Sequence, residues 1–340
     1  MSRSSLSLVW PLAAALLVLT VSTPLLTRAE PREAPPVHLS LGTGGTGGVY
    51  HEYGAALARI VSSSHGDVRI TALTTAASVE NNRLVAEGSL DAAFTLADVS
   101  ALAVAGDPPF DEPLPINAIA RLYDNHTHVV VRADSPYRSL SDLAGSTVSV
   151  GAKGSGTEMM AERLLDLVGL EEDGGPDAVV HRLRLSIGGS ASALERGAID
   201  AFFWSGGLPT QAVADLAERF PIRLLDLSEH VNALSEEHGA YFSELPVPAS
   251  TYPGVPAVRT IGVPSLLVVS ASMPHPTAEE LTRLLFDSRA ELAEIHPVAL
   301  QLHPRSAIAT LPVPLHPGAA GYYQEVKYAH DRVAESAAVP

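Results

Sequence analysis

The chain contains no cysteine among its 340 residues. That excludes a disulfide framework, a thiol nucleophile and a lipid-modified cysteine anchor. Basic residues are also scarce: 22 Lys and Arg stand against 38 Asp and Glu, for a formal net charge of -16. Nucleic-acid binding rests on neutralising phosphates with basic side chains, so no nucleic-acid partner is expected. Catalytic signatures are missing too. There is no GxSxG elbow, and His51-Glu52 runs on into Tyr53-Gly54-Ala55 rather than completing a zinc-protease motif. The chain is therefore not expected to be an enzyme, and no cofactor is expected.

At this length one compact unit is large, and two lobes are the default expectation. The segment Met1 to Ala29 carries Arg3, an uncharged apolar run from Leu6 to Leu26, then Thr27-Arg28-Ala29. That order predicts an export signal cleaved after Ala29 or an uncleaved N-terminal membrane anchor. Residues 30–36 are rich in Pro and charge and read as a linker.

The body alternates β-branched runs with helical patterns, as parallel sheets wrapped by helices do. Strands are expected at His38–Leu41, Val68–Leu73, Ala92–Leu96, Ile116–Leu122 and Val129–Val131. Helices are expected at Tyr50–Ser64, where Tyr53, Leu57, Ile60 and Val61 share a face, and at Ser78–Glu87 with Ser78 as N-cap. A second series has strands at Val148–Val150, Val179–Leu183, Ile199–Phe203 and Ile222–Leu225. Its helices are expected at Glu158–Val168, Ala191–Arg196 and Thr210–Arg219. After a Pro- and Tyr-rich passage, a strand at Ser265–Ser270 and helices at Thr277–Ile295 and Tyr322–Ala334 complete the chain. The last portion has too few strands for a third domain. The economical arrangement returns it to the first lobe: residues 37–128 plus 257–340 form lobe I, residues 129–256 form lobe II, and crossings near Val129–Val131 and Leu266–Val269 form the hinge.

The strongest local signal is the loop from Gly42 to Gly48, lying between a strand and a helix. Glycines let backbone approach a ligand, and a helix amino terminus offers N–H groups and a positive dipole to an anion. Gly42 to Gly47 satisfies GxGxxG, but a dinucleotide site needs an acidic residue where Leu73, Thr74 and Thr75 stand. A second loop, Gly151 to Thr157, opens a helix in the other lobe; Ser155 and Thr157 add hydroxyls and Lys153 a positive charge. It lacks the GKS or GKT ending of a nucleotide-phosphate loop. Ser155 or Thr157 is also a natural cap for the helix that follows. Together the two loops suit opposite walls of a cleft.

Other polar residues have plainer readings. His126 and His128 share a strand face, which allows metal binding, yet no cysteine or carboxylate pair accompanies them, and a partly exposed hinge strand is the expected setting. Asp98 reads first as a helix N-cap and second as a partner for a ligand ammonium.

The segments GTGGTGGVYHEYGAAL, SVENNRLVAEGSLDAAF and LADVSALA together resemble the TAXI group of TRAP-transporter solute receptors. The similarity continues in order through AIARLYDNHTHVVV, SLSDLAGSTVSVGAKGSGTEMMAERLL, LERGAIDAFFWSGGLPTQAV and STYPGV, from Leu39 to beyond Phe286. The resemblance implies a type II periplasmic-binding-protein fold, two α/β lobes joined by a two-crossing hinge. It also implies an exported, non-catalytic receptor that hands a small organic acid or amino acid to a TRAP membrane permease, with glutamate-like amino acids or dicarboxylates as the expected ligands. Carried over by position, Thr43, Gly44 and Gly48 match the first ligand loop, Tyr50 an aromatic wall, and Ser78 and Asn81 the polar start of the next helix. Tyr123 matches an aromatic after the strand leading to the hinge, Ser155, Gly156 and Thr157 a carboxylate-holding loop, and Gly206 to Pro209 a cleft-facing turn. The chain departs from the pattern at Thr75-Ala76-Ala77-Ser78 and at Trp204-Ser205. A receptor of an ATP-driven importer or of a sensor kinase shares the expected fold, and an enzyme built on it is a remoter rival.

Overall fold

The computed structural model describes residues 36–64, 67–170 and 179–337, and side chains as far as residue 327. The export or anchor segment and the linker up to residue 35 lie outside the described residues. The strands are β1 (Val37–Gly42), β2 (Val68–Leu73), β3 (Ala92–Leu96), β4 (Ile116–Arg132), β5 (Thr147–Ser149), β6 (His181–Leu183), β7 (Ala201–Gly206), β8 (Ile222–Leu224), β9 (Ser243–Val247) and β10 (Val258–Ser270). Between them run α1 (Val49–Ser64), α2 (Ser78–Ala86), α3 (Ala97–Ala105), α4 (Gly156–Leu167), α5 (Ile187–Glu195), α6 (Gln211–Arg219) and α7 (Val231–His238). The chain closes with α8 (His275–Asp287), α9 (Arg289–Ile295), the short α10 (Pro304–Ala307) and α11 (Pro317–Ala337).

Parallel pairing of β1 with β2 and β3 builds the first half, and parallel pairing of β5 with β6 and β7 builds the second. The strand order is β2-β1-β3-β10-β4-β7-β5-β6. Two long strands join the halves. β4, of 17 residues, pairs antiparallel with β10 from Ile116 to His126 and with β7 from His126 to Val131. β10, of 13 residues, pairs with β3 through Ser265–Val269 and with β9 through Val258–Gly262. Two α/β lobes joined by long strands that cross from one to the other, with the late strand inserted beside β3, make the type II periplasmic-binding-protein fold.

Each half has its own apolar layer, and a third layer is shared. Leu57, Ile60 and Val61 of α1 pack with Leu281 and Leu285 of α8 on one side of lobe I. Leu194, Phe202 and Leu216 pack in lobe II. The shared cluster is continuous across the cleft: Val79, Leu96 and Val99 of lobe I join Met160, Leu164 and Leu165 of α4 in lobe II. Full burial of such a side chain contributes about 1.5–3 kcal/mol, so this apolar seam favours lobes held together.

Several elements differ from the expectation. Ile116–Leu122 and Val129–Val131 are one strand, because pairing with β10 and β7 keeps the polar stretch between them extended. β9 is an additional strand inside the Pro- and Tyr-rich passage. The helix expected over Thr277–Ile295 breaks at Ser288 into α8 and α9. Ser78 is not an N-cap: Ala77 holds that position at φ 81, and Ser78 lies within α2. Asp98 likewise falls inside α3, which starts at Ala97 with Leu96 at its cap.

Candidate functional site

A cavity of about 350 Å³ lies between the lobes. The amino termini of α1, α2, α4 and α5 all reach it: Val49 and Tyr50, Ser78, Gly156 and Thr157, and Ile187 line its wall. First-turn N–H groups have no partner inside their own helices, so this is a wall of backbone donors with positive dipole ends. At α2 those donors are already engaged. The Gly154 carbonyl accepts from Val79 N–H at 3.1 Å and Glu80 N–H at 3.2 Å, so lobe II caps a helix of lobe I.

Four serine and threonine hydroxyls on the wall share a geometry. Ser155 Oγ accepts from Glu158 N–H (3.0 Å), Thr157 Oγ1 from Ser205 N–H (3.1 Å), Ser78 Oγ from Leu96 N–H (3.1 Å) and Ser186 Oγ from Gly189 N–H (3.2 Å). The Tyr50 hydroxyl accepts from Ser265 Oγ at 2.7 Å, and Asn125 Nδ2 donates to Ser265 Oγ at 3.0 Å. At Ser155, Thr157, Ser186 and Tyr50 the protein has taken the role of donor to the oxygen, which leaves the hydroxyl proton to donate into the cavity, whereas the Ser78 hydroxyl also serves the Tyr50 oxygen. Burial pushes the Tyr50 phenol well above its usual range, so it keeps that proton. The remaining wall combines the apolar and aromatic Leu96, Leu185, Phe203 and Trp204 with the polar Thr46, Thr74, Thr75, Ser190 and Ser205. Among the described residues that line it, none is Asp, Glu, Lys, Arg or His.

Of the residues singled out from sequence, Gly44, Gly48, Tyr50, Ser78, Ser155, Gly156, Thr157 and Gly206 come together on this wall. The others sit behind or outside it. Thr43 is fully buried; its hydroxyl donates to the Leu73 carbonyl (2.9 Å), and its carbonyl accepts from Asn81 Nδ2 (2.8 Å). Asn81 Nδ2 also reaches the Phe94 carbonyl (2.7 Å), tying α2 to β3. Tyr123 stacks on Tyr53 at 6.1 Å beneath Tyr50. The Pro209 carbonyl accepts from His296 Nε2 at 3.0 Å, a bond from lobe II to lobe I. Lys153 is exposed and lines a separate outer depression with Arg83 and Glu158.

Sequence reasoning did not single out Asn125, Ser186 or Ile187 as site residues. The signal for the last two was present: Ser186 caps α5 just past β6, the same strand-to-helix step as the two glycine loops but without glycine ahead of the cap.

Asp98 forms a buried ion pair with Arg163 of α4, joining the lobes. This replaces the expected cap, and Asp98 does not line the cavity. His126 and His128 are buried, against the expectation of a partly exposed strand. His128 Nδ1 donates to the His126 carbonyl (2.8 Å), and Nε2 accepts from the Tyr252 hydroxyl (3.0 Å), which itself accepts from Thr210 N–H. Both ring nitrogens of His128 are thereby used internally, and burial lowers its pKa to about 3. No group of His, Asp and Glu fit to hold a metal ion occurs among the described residues.

The chain is similar in structure to the periplasmic aliphatic sulphonate binding protein of Escherichia coli, with 15% identity, 88% of each chain covered and a TM-score of 0.44. A Xanthomonas citri protein solved with ATP matches at 16% identity, covering 88% of this chain and 98% of that one, with a TM-score of 0.47. A glutamate-receptor ligand-binding core in complex with L-glutamate matches at 12% identity, covering 79% of this chain and 99% of that one, also at 0.47. Residues 41–326, most of the chain, match the sequence profile of the NMT1-like family, and the chain belongs to that family.

Proposed function

We propose that this protein is an exported solute receptor that closes residues 37–128 with 257–340 and residues 129–256 as two lobes on a small carboxylate or comparable oxyanion, and delivers it to a TRAP-type membrane permease. The observation that carries this reading is the set of Tyr50, Ser155 and Thr157 hydroxyls, contributed by both lobes, whose oxygens accept from protein donors and whose protons are left to offer. Such a wall offers hydrogen bonds to an acceptor-rich solute from both sides at once, and those bonds are complete only when the lobes are together. Closure is then a population shift driven by contacts made in the closed form alone. The sequence resemblance to TAXI receptors supports the permease assignment.

The test is a thermal-shift screen of organic acids, followed by small-angle scattering with each hit. A solute at 100 times its dissociation constant adds about 2.7 kcal/mol of stability. Scattering is expected to show compaction with the hit, and the double variant Ser155→Ala, Thr157→Ala is expected to lose most of the thermal response. A hit that binds the double variant unchanged, or binds without compaction, removes the reading.

A further inference from the structure

We infer, building on the receptor reading above, that the solute carries no ammonium group: the cavity selects simple, oxo- or hydroxycarboxylates over α-amino acids of the same carbon skeleton. A buried ammonium has three donors and no acceptor, so it needs a carboxylate or several free carbonyls around it. The described wall has no carboxylate. Asp98, the acidic residue that the sequence placed nearest to such a role, is paired with Arg163.

Five carbonyls of the two glycine loops are engaged as well. Thr43 O accepts from Asn81, Gly45 O from Gly48 N–H, Gly47 O from Ala212 N–H, Ala152 O from Ser155 N–H, and Gly154 O from Val79 and Glu80. The hydroxyls of Ser155, Thr157 and Ser186 accept from protein N–H groups and present their protons. An ammonium brought here meets mostly donors and apolar rings, with no carboxylate to replace its hydration. A carboxylate meets the opposite situation, because N–H groups, hydroxyl protons and helix dipoles all converge on it without a cationic side chain. The neutral body of such an acid packs against Leu96, Phe203 and Trp204.

The experiment is titration calorimetry of the full mature chain with matched pairs: glutarate against glutamate, pyruvate against alanine, and 4-methyl-2-oxopentanoate against leucine. In every pair that binds, the member without the amino group is expected to bind at least about tenfold more tightly, equivalent to 1.4 kcal/mol. An amino acid that equals or exceeds its partner overturns the inference while leaving the anion-receptor reading intact. If no acid of either kind binds, the receptor reading itself fails and this inference goes with it.

Discussion

The two glycine loops have nearly the same composition and do different work. The loop from Gly42 to Gly48 is held mainly by lobe I: Thr43 is fastened to Leu73 and Asn81, the helix that follows presents its amino terminus to the cavity, and the Gly47 carbonyl accepts one long bond from Ala212 N–H of lobe II (3.4 Å). The loop from Gly151 to Thr157 reaches across more firmly. Its Gly154 carbonyl caps α2 of lobe I, and the helix that follows sends Arg163 to Asp98. Gly156 lies so close to lobe I that an added Cβ would stand 2.5 Å from Leu96 Cδ1 and 2.8 Å from Ser78 Oγ, whereas a Cβ on Gly45 would meet nothing within 4 Å. Composition therefore identifies a wall-forming loop, and the neighbouring lobe decides how firmly it also acts as a clasp.

That difference is most strongly broken at Asp98. Asp98→Ala leaves Arg163 buried without its carboxylate and is expected to cost about 3–5 kcal/mol in chemical denaturation, the usual effect of removing one partner of a buried pair. Next in size is a pH limit set by His128 in β4. His128 stays neutral in the fold with its pKa lowered to about 3, while the unfolded chain takes up that proton near pH 6.5. The contribution is complete above pH 6.5 and falls as pH drops toward 3, with about 2 kcal/mol gone by pH 5. Denaturation midpoints of the wild type and His128→Asn between pH 7 and 5 measure it, and a slope unchanged by the substitution refutes the assignment.

A matched pair then contrasts the loops directly. Gly156→Ala is expected to cost about 1–3 kcal/mol through overpacking, while Gly45→Ala stays within about 0.5 kcal/mol. Equal costs, read by thermal denaturation without solute, would erase the distinction. The smallest effect is expected at the cap of the clasping loop: Ser155→Ala removes the acceptor for Glu158 N–H and lowers stability by about 1 kcal/mol.

Much of the fold was legible because the sequence pattern and the packing agree. β2 and β3 occupy the expected residues, since Val68 and Ile70 alternate inward and the run from Ala92 to Leu96 is buried throughout. β4 was harder. Asp124, Asn125, His126, Thr127 and His128 interrupt its apolar pattern, and only tertiary partners satisfy them: Asn125 through Ser265, His128 through Tyr252. β9 contains Pro246, which reads as a breaker but is tolerated where a strand has a free side. At the site, glycine and hydroxyl content marked both loops, while α5 lacked glycine ahead of its cap and drew no notice. Lys153 stands out in sequence as a cation within a binding loop, yet the turn made by Gly151 and Gly154, both at positive φ, leaves it on the outer face. Charge order along a chain does not record which side of a turn a residue takes.

A single ribbon of backbone from Ile116 to Arg132, roughly 55 Å long at the usual rise per residue, belongs to both halves of the molecule. Neither half can therefore be lifted out as an independent module. A gene cut near its middle would leave each fragment with a truncated edge whose unpaired amides and carbonyls seek another chain, so splitting or circular rearrangement of this protein has to spare that ribbon.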